Sequence, residues 1–192
     1  MTTISRRSVV LANDEHQFHL AKLQNSDAVM TSGDQACSSS NPGNGKSDRI
    51  VMDGDVLHPM SFGIDEFQQL ESRNLPPFDL QCYRTKKILR CIESYEGVLL
   101  RSLLSIVGLA GELHDFKRTI YVARALDGYA LTFSWHEIFN TEVGDKVIVA
   151  HRCGGKSLTK DDGVPYLISG ADIYSGPRHM KTLRSITAQI VR

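Results

Sequence analysis

The stretch that decides the fold is residues 119–140, which read TIYVARALDGYALTFSWHEIFN. Residues 119–126 are rich in strand-forming side chains, and Asp127-Gly128 is a turn pair that favours a return strand over residues 129–133. Ser134 and Glu137 have the spacing of a capping box, in which each side chain accepts a hydrogen bond from the other residue's amide. The stretch therefore predicts a β-hairpin that runs directly into a short helix.

The sequence on both sides continues this alternation of strands, turns and short helices. Residues 50–51 and 56–57 flank Asp53-Gly54, which predicts another hairpin there. A short helix is predicted through Ile64, Phe67 and Leu70, and a strongly apolar helix over residues 98–107 that ends at Gly108. Five further segments have the composition of strands: 78–83, 88–92, 146–152, 166–169 and 183–191. The predicted fold class is therefore α+β, mainly β, with mixed sheets and short connecting helices.

Composition narrows the function classes. The chain has 192 residues, enough for one domain, and 22 Lys+Arg balance 22 Asp+Glu. Nucleic-acid binding is not expected, because it needs an excess of positive charge. No apolar run reaches the ~18–20 residues that span a bilayer, so an integral membrane protein is not expected. The 4 cysteines are too few for a disulfide scaffold, and no pair has the C-x-x-C spacing of a zinc site.

The amino-terminal part differs from the rest of the chain. Residues 31–49 are almost devoid of apolar side chains, so we expect residues 1–49 to be a disordered tail and residues 50–192 to form the folded domain. Arg6-Arg7 resembles the start of a twin-arginine export signal, but polar residues 13–17 stand where the apolar stretch of a signal is needed. A cytoplasmic location is therefore favoured, and a periplasmic one stays open.

Common catalytic motifs are incomplete in this chain. The two Gly-Lys-Ser sequences, at residues 45–47 and 155–157, lack the upstream glycine of a phosphate-binding loop. His136-Glu137 lacks the second histidine of a zinc protease, since position 140 is Asn140. Any chemistry must therefore come from a different arrangement.

Three stretches carry a resemblance to a known family. They are residues 54–59 (GDVLHP), residues 95–104 (YEGVLLRSLL), and the run from residues 125–140 to residues 176–183 (GPRHMKTL). In this order, residues 50–191 resemble the molybdopterin-binding domain of the sulfite oxidase family, in its short bacterial form. The resemblance implies a mainly-β α+β fold around a pyranopterin that carries molybdenum. It also implies that one cysteine thiolate binds the metal beside the two pterin sulfurs.

The resemblance places the metal ligand at Cys82. Residues 80–82 (Leu-Gln-Cys) match the ligand strand of the family, and a thiolate is a soft donor suited to such a metal. The family usually has small residues next, whereas this chain has Tyr83. The resemblance thus makes Cys82 the catalytic and metal-binding residue, and the alternative is a buried structural thiol. For the other cysteines we expect structural roles at Cys91 and Cys153 and a solvated side chain at Cys37.

Residues 175–181 (SGPRHMK) resemble the element that holds the pterin and its phosphate in the family. Glycine permits close backbone approach, and arginine and lysine suit a phosphate dianion. In the family motif Asn-Gly-x-Pro-x-Arg, this chain has Asp162 in place of the asparagine and Leu167 in place of the arginine. The alternative interpretation is a solvated basic loop. The predicted cofactor-binding residues are Ser175, Gly176, Arg178, His179, Lys181 and Asp162.

These resemblances lead to one favoured function and two alternatives. The favoured function is a small molybdopterin-dependent oxidoreductase that transfers an oxygen atom to or from a small-molecule substrate and exchanges electrons with a separate partner protein. The alternatives are a non-catalytic molybdopterin-binding or accessory protein and a cofactor-free interaction domain, because fold alone does not fix function. A substrate anion would need arginines near the metal, for which the sequence offers Arg84, Arg90, Arg124 and Arg152.

Overall fold

The structure is a computed structural model, and it describes residues 49–159 and 161–192. The predicted disordered tail lies outside the described residues, except for Arg49, which begins the first strand. Within the described residues, no helix is long and apolar enough to cross a membrane.

Strands make up most of the described secondary structure. The strands are β1 (Arg49–Gly54), β2 (Met60–Gly63), β3 (Ser72–Leu75), β4 (Phe78–Gln81), β5 (Ile88–Ile92), β6 (Tyr95–Leu99), β7 (Thr119–Ala125), β8 (Ala130–Ser134), β9 (Val147–Cys153), β10 (Lys156–Ser157), β11 (Tyr166–Ser169), β12 (His179–Met180) and β13 (Leu183–Ile190). The α-helices are α1 (Ile64–Phe67), α2 (Leu100–Val107) and α3 (Trp135–Phe139). Single turns of 3₁₀ helix lie at Asp115–Arg118, Gly144–Lys146 and Gly176–Arg178.

The described strands form two larger sheets and one separate hairpin. The first sheet has the order β2-β1-β13-β7-β8, and the second has the order β12-β11-β9-β6-β3 with β10 paired to β9. Strands β1 and β13 run parallel, whereas their other neighbours are antiparallel. The third unit is the β4–β5 hairpin, which pairs with neither larger sheet. This arrangement confirms the predicted α+β class with mixed sheets and short helices.

The second sheet is buried on both faces. Successive side chains of a strand point to opposite faces, and Ile148 and Val149 of β9 are both fully buried. Val149 belongs to the larger core, which is shared with the first sheet and α2, while Ile148 belongs to a smaller core that contains Tyr95 and Tyr166. A strand buried on both faces needs apolar residues at every position, which explains the continuous apolar run over residues 147–150.

Several boundaries differ from the sequence prediction. Helix α2 begins at Leu100 rather than at residue 98, because Val98 and Leu99 pair with β9 as part of β6. The strand after residue 50 runs through Gly54 and pairs with β2, so the predicted hairpin at Asp53-Gly54 is wrong. The helix predicted as far as Leu70 is one turn, α1, and the chain then pairs as β3 with β6. In each case pairing between distant segments overrides the local pattern.

The apolar face of α2 packs against the larger core, and Leu103 is fully buried there. We expect Leu103→Ala to lower the free energy of unfolding by roughly 2–5 kcal/mol, because the substitution leaves a cavity. Ser105→Ala, at an exposed position on the same helix, is the matched control and should change it by less than about 0.5 kcal/mol. Urea denaturation of both variants measures this difference. A loss below about 0.5 kcal/mol for Leu103→Ala would contradict the core assignment.

Candidate functional site

The strand that leads to Cys82 and the segment that contains Ser175 and Gly176 lie against each other. Gly176 packs so closely on the end of β4 that a side chain there would overlap the carbonyl oxygen of Gln81 and lie 3.5 Å from the Cα atom of Cys82. The Ser175 hydroxyl donates a hydrogen bond to the carbonyl oxygen of Asp79, at 3.2 Å. Ser175 and Gly176 therefore hold the segment over residues 170–181 against the strand that ends at Cys82.

Cys82 begins the turn between β4 and β5. Its amide donates to the Lys87 carbonyl at 3.0 Å, and its carbonyl accepts from the Lys86 amide at 2.8 Å. The Thr85 hydroxyl, the Thr85 amide and the Arg84 amide hydrogen-bond the half-buried sulfur and lower the pKa of the Cys82 thiol, against the smaller opposing effect of burial. The Lys86 charge acts in the same direction. The turn thus favours the thiolate, which is the form that binds metals.

Tyr83, the bulky residue after Cys82, contacts the 170–181 segment. Its ring meets the ring of Tyr174 edge-on, with the centroids 5.8 Å apart. The Lys86 ammonium lies 4.1 Å from the Tyr83 centroid and 3.6 Å from the Tyr174 centroid, which adds a cation–π contact to each ring. The contacts among Tyr83, Tyr174 and Lys86 therefore hold the turn that contains Cys82 against the segment that contains the predicted phosphate-binding residues.

Arg178 is held by two carboxylates. One Nη atom lies 2.9 Å from a carboxylate oxygen of Glu137, Nε lies 3.4 Å from one of Asp172, and the guanidinium stacks over Phe133 at 4.8 Å. The other Nη atom is buried and has no hydrogen-bond partner among the described residues. The Tyr129 hydroxyl also donates to the Pro177 carbonyl at 2.5 Å. The ion pair of Arg178 with Glu137 therefore positions its loop on the capping box of α3.

Glu137 connects this loop to the helix cap. Its carboxylate accepts hydrogen bonds from the Ser134 amide at 2.8 Å and from Arg178, which confirms the predicted capping box. Burial raises the pKa of Glu137, but the hydrogen bonds from Ser134 and Arg178 and the Arg178 charge together outweigh it, so the net shift is downward. The ionised carboxylate is therefore the form that stabilises the fold.

This shift predicts a pH-dependent stability. A folded-state pKa below the ordinary value of 4.5 gives a stabilisation that is fully present above that value and is lost as the pH falls through the folded-state pKa. At neutral pH we expect Glu137→Gln to lower the free energy of unfolding by about 1–2 kcal/mol, since glutamine keeps the cap but loses the ion pair. The deficit should shrink as the pH falls from about 6 to about 3, across the usual Glu range. Urea denaturation over this range measures it, with Glu142→Gln, at an exposed position, as the control. A deficit that does not change with pH would contradict the ion pair.

His179 is buried in an aromatic cluster rather than presented as a cation. Its Nε2 atom lies 2.8 Å from the Tyr95 hydroxyl, and its ring packs against Tyr95 and Tyr166. Burial, together with the positive charges of Lys181 and Arg90, lowers the pKa of His179 to about 4. His179 is therefore neutral at pH 7, and the positive charge near it comes from Lys181 and Arg90.

Asp162 faces the same two cations. Its carboxylate accepts hydrogen bonds from the amide and the hydroxyl of Thr159, both at 2.8 Å. These bonds lower the pKa of Asp162, and Lys181 and Arg90 lower it further. Leu167, which replaces a family arginine, is fully buried in the larger core and presents no polar group. The negative charge of Asp162 is therefore balanced by the nearby positive charges of Lys181 and Arg90.

The sequence offered four arginines that could lie near the metal without indicating which of them does. Arg90 is one of these four. Its position opposite Leu80 in the β4–β5 pairing brings it near His179 and Asp162. By contrast, Arg152 pairs with Glu96 at 3.3 Å, and Arg124 lies on β7 in the other sheet. The pairing of residues 78–83 with residues 88–92 was the signal that could have singled out Arg90.

The remaining cysteines lie away from this arrangement. Cys91 is exposed, and a hydrogen bond with Asp79 raises its pKa. Cys153 is half-buried, and it hydrogen-bonds the hydroxyl of Tyr95, which fits a structural role. In the described part of the chain, no group of three or more His, Cys, Asp or Glu side chains is placed to hold a metal ion by itself.

Fold and site together define a mainly-β domain in which the thiol at the end of β4 lies against a close-packed glycine, while the charges of Lys181 and Arg90 act on His179 and Asp162. The family model of the oxidoreductase molybdopterin binding domain matches residues 41–190, and the chain belongs to this family. This match confirms the resemblance seen in the sequence.

Comparison with solved structures supports the same fold. The crystal structure of the sulfane dehydrogenase SoxCD from Paracoccus pantotrophus superimposes with a TM-score of 0.56 at 18% sequence identity. The match covers 77% of this chain and 39% of that chain, so this chain spans well under half of its neighbour's length. No curated protein matches the chain in sequence. At this identity the structural match shows the fold alone.

Proposed function

We propose that this chain is a molybdopterin-dependent oxidoreductase that transfers an oxygen atom to or from a small molecule, with Cys82 as the metal ligand. The observation that carries the proposal is the contact of Gly176 with Gln81 and Cys82, because it joins the thiol to the predicted phosphate-binding segment. In a family defined by molybdopterin binding, such a juxtaposition would bring a metal ligand and a cofactor anchor together.

The residues present fit such a cofactor. Cys82 offers a sulfur whose pKa is lowered by hydrogen bonds from Thr85 and Arg84, which favours the anionic form that a soft metal ligand requires. Lys181 and Arg90 offer charges that suit a phosphate dianion, and the buried unpartnered Nη atom of Arg178 is a further donor. Ser175 and Gly176 fix the backbone that would lie beside the pterin.

When bound, the cofactor supplies a molybdenum centre that exchanges one oxygen atom and two electrons with the substrate. The chain's own contribution is to hold the ligand thiol in a fixed turn, to place cations beside the anionic end of the cofactor, and to keep His179 neutral. A neutral His179 accepts or donates a hydrogen bond without adding charge to the site. A separate partner protein would exchange electrons with this centre.

A second candidate is a molybdopterin-binding protein without turnover. Two observations favour it: Glu137 and Asp172 occupy much of the Arg178 guanidinium, and Leu167 lies in the core where the family usually has an arginine. Both differences reduce the positive charge around the site. They leave the thiol and the pair Lys181 and Arg90 unchanged.

Molybdenum and pterin analysis of the full chain, purified from a molybdate-replete host, tests the proposal. We expect close to one molybdenum and one pterin per chain, together with oxygen-atom transfer to or from a small-molecule acceptor. Protein from the same host grown on tungstate is the control and should keep pterin but lose activity. Pterin without turnover would favour the second candidate. Protein that contains neither molybdenum nor pterin despite adequate supply would overturn both.

A further inference from the structure

We propose that the β4–β5 hairpin is the docking surface for an acidic electron-transfer protein. The proposal rests on the proposed function, because an electron partner is required only if the site is redox-active. The surface, named here the hairpin patch, consists of Tyr83, Ile88 and Leu89 from the hairpin and Ile173 from the 170–181 segment.

The hairpin patch exposes large apolar side chains. Their exposed fractions are 63% for Tyr83, 52% for Ile88, 61% for Leu89 and 87% for Ile173. Ile88 pairs with Gln81, and Leu89 falls at the irregularity in the β4–β5 register, so both lie at the turn end of the hairpin. Tyr83 contacts Tyr174, the neighbour of Ile173, which brings the two segments together. Single exposed apolar residues are ordinary, whereas contiguous exposed apolar side chains mark interaction surfaces, and we take these four, linked by the Tyr83–Tyr174 contact, as one such surface.

The charge around the patch has one sign. Residues 82–92 contain Arg84, Lys86, Lys87 and Arg90 and no Asp or Glu, although the whole chain has a formal net charge of +0. The Lys86 ammonium is fixed between the rings of Tyr83 and Tyr174, so at least one positive charge has a defined position. A partner that covers the patch therefore needs an acidic face with an apolar centre.

Nearby carboxylates do not neutralise this region. Asp79 pairs with Cys91 at the end of the hairpin away from the turn, and Glu93 follows β5 at that same end. Asp172 is paired with Arg178. Asp162 lies near Arg90 rather than near the turn, so the positive charge of the turn end comes from Arg84, Lys86 and Lys87.

The position of the patch favours a redox partner. The hairpin turn begins at Cys82, the proposed metal ligand, and two of its side chains, Tyr83 and Lys86, contact the segment that would hold the cofactor. Electron transfer slows steeply with distance, so a partner seated here would stand next to the centre that must be reoxidised or reduced. An anionic membrane surface would complement the same charges, but it accepts no electrons.

The test uses mitochondrial cytochrome c, which is basic, and the same cytochrome succinylated on its lysines, which is acidic. Binding of each to the full chain is measured by titration calorimetry at about 10 mM and about 150 mM salt, between which the Debye length falls from ~30 Å to ~8 Å. We expect the succinylated form to bind, more weakly at the higher salt, and the native form not to bind.

Two hairpin variants and one matched control locate the surface. Arg84→Glu with Lys87→Glu should weaken binding of the succinylated cytochrome by at least about tenfold. Leu89→Ser should weaken it without changing its salt dependence. Arg124→Glu with Arg184→Glu makes the same charge change at exposed positions of the other sheet and should leave binding unchanged. Thermal unfolding confirms that each variant is folded, and Leu89→Ser tests the patch even if the double charge reversal fails to fold.

Three results would overturn the proposal: equal binding of the basic and acidic cytochromes, equal loss in the control variant, or binding only to phosphatidylserine vesicles run in parallel. The binding measurement needs no turnover and applies whatever the molybdenum content. If protein from a molybdate-replete host contains neither molybdenum nor pterin but binds the acidic cytochrome, the docking surface is upheld and the proposed function is rejected. Molybdenum-loaded protein that binds neither cytochrome would reject the docking surface alone.

Discussion

Cys82→Ser is expected to abolish oxygen-atom transfer while most of the pterin stays bound. Serine is nearly isosteric, but its hydroxyl is a hard donor that is protonated at neutral pH, so it replaces a thiolate poorly as a ligand for this metal. The proposed contacts to the pterin and its phosphate lie elsewhere, on Lys181, Arg90 and the backbone at Gly176. The measurement is molybdenum content, pterin content and turnover of the variant and the wild type, purified side by side.

Cys91→Ser is the matched control, because Cys91 is an exposed thiol on the neighbouring strand. It should retain molybdenum, pterin and turnover. If Cys82 were only a structural thiol, Cys82→Ser would change stability slightly and leave all three quantities at the wild-type level. That outcome would reject Cys82 as the ligand.

Arg90→Ala with Lys181→Ala should remove the cofactor almost entirely. Each charge-assisted contact to a phosphate contributes roughly 1.5–3 kcal/mol, so the loss of two weakens binding by about two to four powers of ten. The pterin released on denaturation of the purified variant measures the remaining occupancy. Arg124→Ala with Lys156→Ala removes two exposed cations outside the site and should leave occupancy unchanged.

Arg178 is a poorer test of phosphate binding, because the structure places it between Glu137 and Asp172. Arg178→Ala would break both ion pairs and loosen its loop, so a loss of cofactor would have two causes. Wild-type pterin occupancy in the Arg90 and Lys181 double variant would show that the phosphate anchor lies elsewhere.

Much of the fold could be predicted where local pattern and tertiary environment agree. Residues 119–140 form the expected strands β7 and β8 and the capped helix α3, because turn pair, strand composition and cap are all local signals. The end of α2 at Gly108 was predicted for the same reason: glycine readily adopts the positive φ, 63°, found there.

The rest of the fold depended on pairing between distant segments. Val98 and Leu99 have the composition of the helix that follows them, but β9 lies alongside and pairs with them as strand residues. Likewise residues 72–75 are not predicted as a strand, and they form β3 because β6 offers an edge for pairing. The local sequence of a segment does not indicate which strand edge is free to pair with it.

For the candidate site too, some features could be predicted from the sequence and others could not. Cys82, Gly176 and Ser175 were predicted, and the structure brings them together. The partners of Arg178 could not be predicted, because Glu137 lies 41 residues away in sequence and looked like a helix cap only. The neutral state of His179 was also hidden, since it follows from burial against Tyr95 and Tyr166.

The central claim is that Cys82 binds the molybdenum of a pterin cofactor. X-ray absorption at the molybdenum edge tests it most directly, because the amplitude of the first-shell sulfur scattering counts the sulfur ligands. For wild-type protein we predict three sulfurs, two from the pterin and one from Cys82, and for Cys82→Ser we predict two with a shifted edge. The same sulfur count in both proteins would contradict the claim.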